Sequence, residues 1–98
     1  MEINIKHGDN LVIELTGRLD TITSTELADA VAKEIITENL IIIDFKNLEY
    51  ISSAGLRVLL ALKKQFSEEN KEFEIHNIND VIKEVFNVTG FINILTVK

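Results

Sequence analysis

Cysteine is absent from this chain of 98 residues, and so is proline. The lack of thiols excludes a disulfide framework, thiolate catalysis and cysteine-based metal sites, and it fits a reducing compartment. With no proline, no internal repeat and no low-complexity stretch, nothing marks a linker, and the length allows one domain at most. Glycine occurs only 4 times, at widely separated positions, so no glycine-rich phosphate loop is encoded. His7 and His76 stand alone, without a second metal-type ligand at helical or hairpin spacing, and read as surface strand residues. Neither completes a Ser–His–Asp set. Basic residues are outnumbered, and the net charge of −6 disfavours both nucleic acid and an anionic membrane surface as partners. The longest apolar run, Val58 to Leu62, is far too short to span a bilayer. Met1 to His7 alternates in the manner of a strand and does not form a basic segment followed by an apolar signal core. These features together lead us to expect a cytoplasmic protein.

What is present is the balance of a folded domain, with 46% hydrophobic and 27% charged residues. Such a length can bury most of its apolar surface unaided. Ile3 and Ile5, then Leu11, Ile13 and Leu15, alternate with polar residues around the turn chemistry of Gly8-Asp9-Asn10. The pattern predicts a hairpin over residues 2–17 with one buried face. Thr23 and Glu26 have capping-box spacing ahead of Leu27, Val31 and Ile35, which with Ala28 and Ala32 predict a helix over 24–37. Leu40 to Phe45 is isoleucine-rich and suits a central strand covered on both faces. A second helix is expected over 54–67, carrying Leu56, Leu59, Leu60, Leu62 and Phe66. Phe73 and Ile75 mark another strand, and Asn79 can cap a third helix that Gly90 stops. Phe91 to Val97 reads as a helical turn, a strand, or both in part. Alternating strands and helices imply parallel pairing with right-handed crossovers. The expected fold class is α/β, with a mixed sheet of four to five strands and helices packed mainly on one face.

The most informative stretch is Tyr50-Ile51-Ser52-Ser53-Ala54-Gly55-Leu56-Arg57. It places two adjacent hydroxyls and a glycine where a helix begins. Unpaired N–H groups and a partial positive charge at that point favour an added phosphate. One serine can simply cap the helix, and one can be a phosphorylation site; the two roles are compatible. Ser53 is the better acceptor, being closest to the helix start. Gly55 either permits close helix–strand packing or lets a partner approach the serine. Arg57, one turn after Ser53, can pair with a phosphoserine or an acidic partner, or can be an ordinary surface arginine. Asp20, Thr21 and Thr23 form a loop that can touch a partner, although Asp20 also suits a helix start.

The stretch from Tyr50 to Leu60 resembles the phosphorylation motif of the STAS domain, the anti-sigma factor antagonist family. Gly17-Arg18-Leu19-Asp20 resembles that family's Gly-x-Leu-Asp element, and Val88-Thr89-Gly90-Phe91 its Thr-Gly-Leu element. The three matches fall in order and cover nearly the whole chain, so residues 1–98 are expected to form one STAS domain. The resemblance implies a cofactor-free binding switch rather than an enzyme. Such a protein holds an anti-sigma factor serine kinase while unmodified, is released when that kinase phosphorylates it, and is reset by a PP2C-type phosphatase. Aligning on Gly55-Leu56 places the phosphorylated serine at Ser53. Ser52 falls where several members have aspartate, and it is a second, minor acceptor candidate. The expected partner-binding face combines Asp20, Thr21 and Thr23 of the loop with Ser52, Ser53, Gly55 and Arg57 of the helix start.

Two alternatives stand beside this reading. One is a STAS-type structural subunit of a transporter or stress complex, without phosphorylation. The other is a receiver-like domain phosphorylated on Asp44, placed near the end of the central strand. A receiver also needs an acidic pair for magnesium, which Glu2, Asp9 and Asp20 do not supply.

Overall fold

The computed structural model describes residues 1–98. The hairpin forms as its alternation requires, with β1 (Glu2–Lys6) antiparallel to β2 (Leu11–Leu19). Helix α1 (Thr21–Ala32) then crosses to β3 (Leu40–Ile51), and α2 (Ser53–Glu68) to β4 (Glu72–His76). Helix α3 (Asp80–Thr89) and a 3₁₀ turn at Phe91–Asn93 lead to the two-residue strand β5 (Thr96–Val97). The tail is therefore both helical turn and strand. The sheet order is β1-β2-β3-β4-β5, with every pair after the first parallel.

Rows of side chains in register across the strands form the sheet side of the core. Ile5, Ile13, Ile43 and Ile75 are in register across four strands, and Leu11, Ile41 and Phe73 across three. Leu27 and Val31 of α1, Leu56, Leu59, Leu62 and Phe66 of α2, and Ile82 and Phe86 of α3 join them in one buried cluster. Phe45 and Phe86 meet edge to face, with ring centroids 6.4 Å apart.

The strand and helix bounds differ from expectation in several places. The strand β3 is covered on one face only, because Leu40, Ile42 and Asp44 alternate with the buried Ile41, Ile43 and Phe45. It also runs on to Ile51, so Asp44 lies inside the strand rather than near its end. The Asp44 carboxylate accepts from the Lys46 backbone N–H and from the Asn77 amide. Helix α1 starts three residues earlier than expected and ends at Ala32. Asp20, not Thr23, is its N-cap, and Ile35 lies beyond its end with 85% of its surface exposed. Leu60 of α2 is also turned to solvent.

Neither histidine stands alone as expected: His76 lies 2.9 Å from a Glu74 oxygen, and His7 has two such partners. Its ring nitrogens lie 2.9 Å from a Glu38 oxygen and 2.8 Å from a Glu34 oxygen. Both partners are acceptor-only carboxylates, so both contacts are hydrogen bonds when the ring is protonated. The Gly8 N–H also donates to Glu38, and Lys71 donates to the Glu38 carbonyl. The clamp fastens the β1–β2 turn to the segment entering β3. Hydrogen bonds to Glu34 and Glu38 raise the His7 pKa above 6.5. The Glu38 carboxyl is held below its ordinary value of 4.5, first by its own backbone N–H and then by His7 and Gly8.

The contribution of His7 is fully present below pH 6.5 and is lost as pH rises through its higher folded value. That of Glu38 is present above pH 4.5 and is lost as pH falls through its lower folded value. Thermal melts across pH should therefore show a decline in stability as pH rises above 6.5 that His7→Gln abolishes. Parallel profiles for the two proteins would show that the clamp contributes nothing.

Candidate functional site

Two helix starts stand side by side at the carboxyl end of the sheet. The parallel ladder pairs Leu19 with Ile51, the last residues of β2 and β3. Both side chains are buried and anchor the strand ends in the core. The chain leaves each anchor through a capping residue, Asp20 after Leu19 and Ser52 after Ile51. The Ser52 N–H donates to the Leu19 carbonyl at 2.9 Å, which ties the two exits together. Gly17 prepares this end. It takes φ +113°, a conformation that side chains disfavour, at a register shift between Gly17 and Arg18.

The two serines divide the roles that the sequence left open. Ser52 has extended backbone angles, and its hydroxyl accepts from the Gly55 N–H at 3.3 Å. It is the cap. Ser53 is the first helical residue, exposed, and its hydroxyl takes part in none of the chain's own hydrogen bonds. The first turn of α2 contains no acidic residue, so the positive end of its dipole is uncompensated. Arg57 is exposed one turn further on and belongs to none of the ion pairs.

Of the two readings of Gly55, close helix–strand packing holds: the residue is buried and not on the exposed partner face. A Cβ there would lie 2.7 Å from Ile51 Cγ1, 2.9 Å from the Leu19 carbonyl oxygen and 3.0 Å from Leu19 Cγ. Its part is to let α2 sit directly on the two strand ends.

The Asp20 loop is equally constrained. The Asp20 carboxylate accepts from the Ile22 and Thr23 N–H groups at 3.1 and 3.0 Å. The Thr23 hydroxyl accepts from the Asp20 N–H and donates to the Arg18 carbonyl, both at 2.7 Å. The Thr23 N–H is the main cause that holds the Asp20 carboxyl below its ordinary value, with the Ile22 N–H and the Arg18 charge adding to it. Asp20 is thus ionised and fixed in direction. The hydroxyl of Thr23 is occupied internally, whereas Thr21 is exposed.

Two features of this end escaped sequence reasoning. Ile22, in the first turn of α1, has 75% of its surface exposed. The Arg18 guanidinium lies 4.5 Å from the Tyr50 ring centroid, on residues paired across β2 and β3. Ile22 was detectable in principle, since it falls outside the Leu27–Val31 stripe. The stack needed the strand register. The site is a projecting surface rather than a cleft. The two concavities, about 290 and 390 Å³, lie around Lys63 and Phe73 and around Asn77 and Ile92. A surface bearing an apolar side chain, a fixed carboxylate, two guanidinium groups and a free hydroxyl is suited to a protein partner.

The profile of the STAS domain family matches residues 2–98, and the chain belongs to that family. A relative from Bordetella bronchiseptica, BtrV, is named as a candidate anti-sigma factor antagonist. It is 30% identical over 99 residues, covering 99% of this chain and 85% of its own length. The anti-sigma factor antagonist SpoIIAA in its unphosphorylated form superposes with a TM-score of 0.83 at 18% identity, over 99% of this chain and 88% of that one. The phosphorylated form of the Bacillus cell fate determinant SpoIIAA gives 0.74 at 18% identity, over 99% and 91% of the two chains. At these identities the two structures speak for the fold. No helix here is long and apolar enough to cross a membrane.

Proposed function

We propose that this chain is an anti-sigma factor antagonist whose binding is switched off by phosphorylation of Ser53. The unmodified face, formed by Thr21, Ile22, Asp20, Ser53 and Arg57, docks on an anti-sigma factor that is itself a serine kinase. The observation that carries this reading is the division of labour at α2. Ser52 satisfies the helix start, which leaves the exposed Ser53 hydroxyl free to react. The family membership and the names of the relatives support the choice of partner.

In the transfer, the Ser53 Oγ forms a bond to the γ-phosphorus of ATP. The bond from that phosphorus to the bridging oxygen of ADP breaks, and the hydroxyl proton passes to a base on the kinase. The product carries about −1.5 to −2 units of charge at a helix N-terminus. Within this chain the α2 amides and Arg57 stabilise it. Across the interface it meets the acidic, nucleotide-bearing face of the kinase and is repelled. A PP2C-type phosphatase restores the hydroxyl. No step needs a cofactor held by this chain, and its part is binding rather than catalysis.

Incubation with the anti-sigma factor kinase of its own organism and ATP, followed by peptide mass spectrometry, tests the assignment. Phosphate is expected on Ser53 alone, retained in Ser52→Ala and absent in Ser53→Ala. Full phosphorylation of Ser53→Ala would remove the assignment.

A further inference from the structure

The sheet has one long free edge. Strand β5 closes the far side with two residues only, whereas β1 presents five and pairs with β2 alone. An open edge offers a row of backbone donors and acceptors to another strand. Natural edges are often blunted by a charged residue, and Lys6 stands on this one. Glu2, at the other end of the strand, carries the opposite charge.

The sequence of β1, Glu2-Ile3-Asn4-Ile5-Lys6, is its own antiparallel complement. Pairing two copies about Asn4 sets Glu2 against the second copy's Lys6 and Lys6 against its Glu2. Ile3 falls opposite Ile5, and Asn4 opposite Asn4. The parities agree as well. Glu2, Asn4 and Lys6 are exposed on the open face, while Ile3 and Ile5 are half-buried against the core. A slip of one residue would set charged side chains against isoleucines, and a slip of two would shorten the ladder and leave the charges unmatched. In the single chain Lys6 reaches Glu14 at 3.1 Å, but both side chains remain well exposed, so Lys6 is available to a second carboxylate.

We propose that β1 is a self-association surface: two copies pair antiparallel along Glu2–Lys6, about a two-fold axis at Asn4, and continue the sheet from one copy into the other. The second copy supplies what the edge lacks. Its Ile3 and Ile5 extend the apolar row and complete the cover over their counterparts, and its Glu2 and Lys6 neutralise the edge charges. A single pair of five-residue strands makes a small interface, so the association is weak and reversible.

Sedimentation equilibrium of the full chain from about 10 μM to about 1 mM is the test, covering the range expected for a weak interface. The wild type is expected to shift from monomer towards dimer. Glu2→Lys alone, or Lys6→Glu alone, places like charges opposite one another twice in the symmetric pair. Each should raise the dissociation constant about tenfold. An equimolar mixture of the two variants restores both pairs in a heterodimer and should associate at least as well as the wild type. Circular dichroism verifies that each variant is folded. The proposal is overturned by a wild type that stays monomeric throughout, by single variants that dimerise as the wild type does, or by a mixture that fails to associate.

Discussion

Ser53→Asp is expected to weaken binding to the anti-sigma factor about a hundredfold, the effect of a like charge placed inside an interface. The same substitution should make the free protein more stable, by about 0.5 kcal/mol. The first turn of α2 carries no acid, so a carboxylate at position 53 would be the first to meet its dipole. Arg57, one turn along, adds to the attraction. Opposite signs for stability and affinity are the signature of a switch read at the surface. Ser53→Ala removes only a hydroxyl that the chain does not use, and should bind within a few-fold of wild type. Titration calorimetry with the partner, beside chemical denaturation of the free variants, measures both quantities. Retained affinity in Ser53→Asp would mean that the partner docks elsewhere.

Gly55→Val should cost about 3 kcal/mol of stability, at the upper end for overpacking. The nearest obstacles to its Cβ include the Leu19 carbonyl oxygen at 2.9 Å, which belongs to the backbone and cannot swing away. That same carbonyl accepts from the Ser52 N–H, so moving it loosens both helix starts. Gly55→Ala gains about 1 kcal/mol in helix propensity and meets the same clash. It should still lose stability. A midpoint of denaturation unchanged in Gly55→Val would mean that α2 can lift off the strand ends freely, and the geometry argued for Ser53 would fail with it.

The hairpin, α2, α3 and the α3 cap were legible because each rests on local chemistry: alternation around Gly8-Asp9-Asn10, the 3.6-residue stripe ending in Phe66, and Asn79 before Ile82. The start of α1 was not. Asp20 with Thr23 and Thr23 with Glu26 both have capping-box spacing. Only the anchoring of Leu19 at the end of β2 selects the first. The end of α1 carries no glycine or proline, so Ile35 passed for one more rung of the stripe. In β3 the run of isoleucines hid the alternation, and the largely polar Lys46 to Tyr50, with Leu48 its one aliphatic residue, concealed a ladder that depends on β2. Ser52 and Ser53 were visible as a pair, but their separate roles rest on backbone angles, extended at Ser52 and helical at Ser53. The His7 clamp joins residues 27 and 31 positions apart, beyond any local pattern.

The hydrogen bond from Ser52 to Leu19 joins the exits of adjacent strands rather than two flexible loops. The lateral offset between the Asp20 and Ser53 elements is therefore a property of the sheet, about 4.8 Å per strand. Any protein that engages both must display its own complementary groups at this repeat. Changes of side chain at Thr21, Ile22 or Arg57 can retune which protein that is, while the ruler itself stays the same.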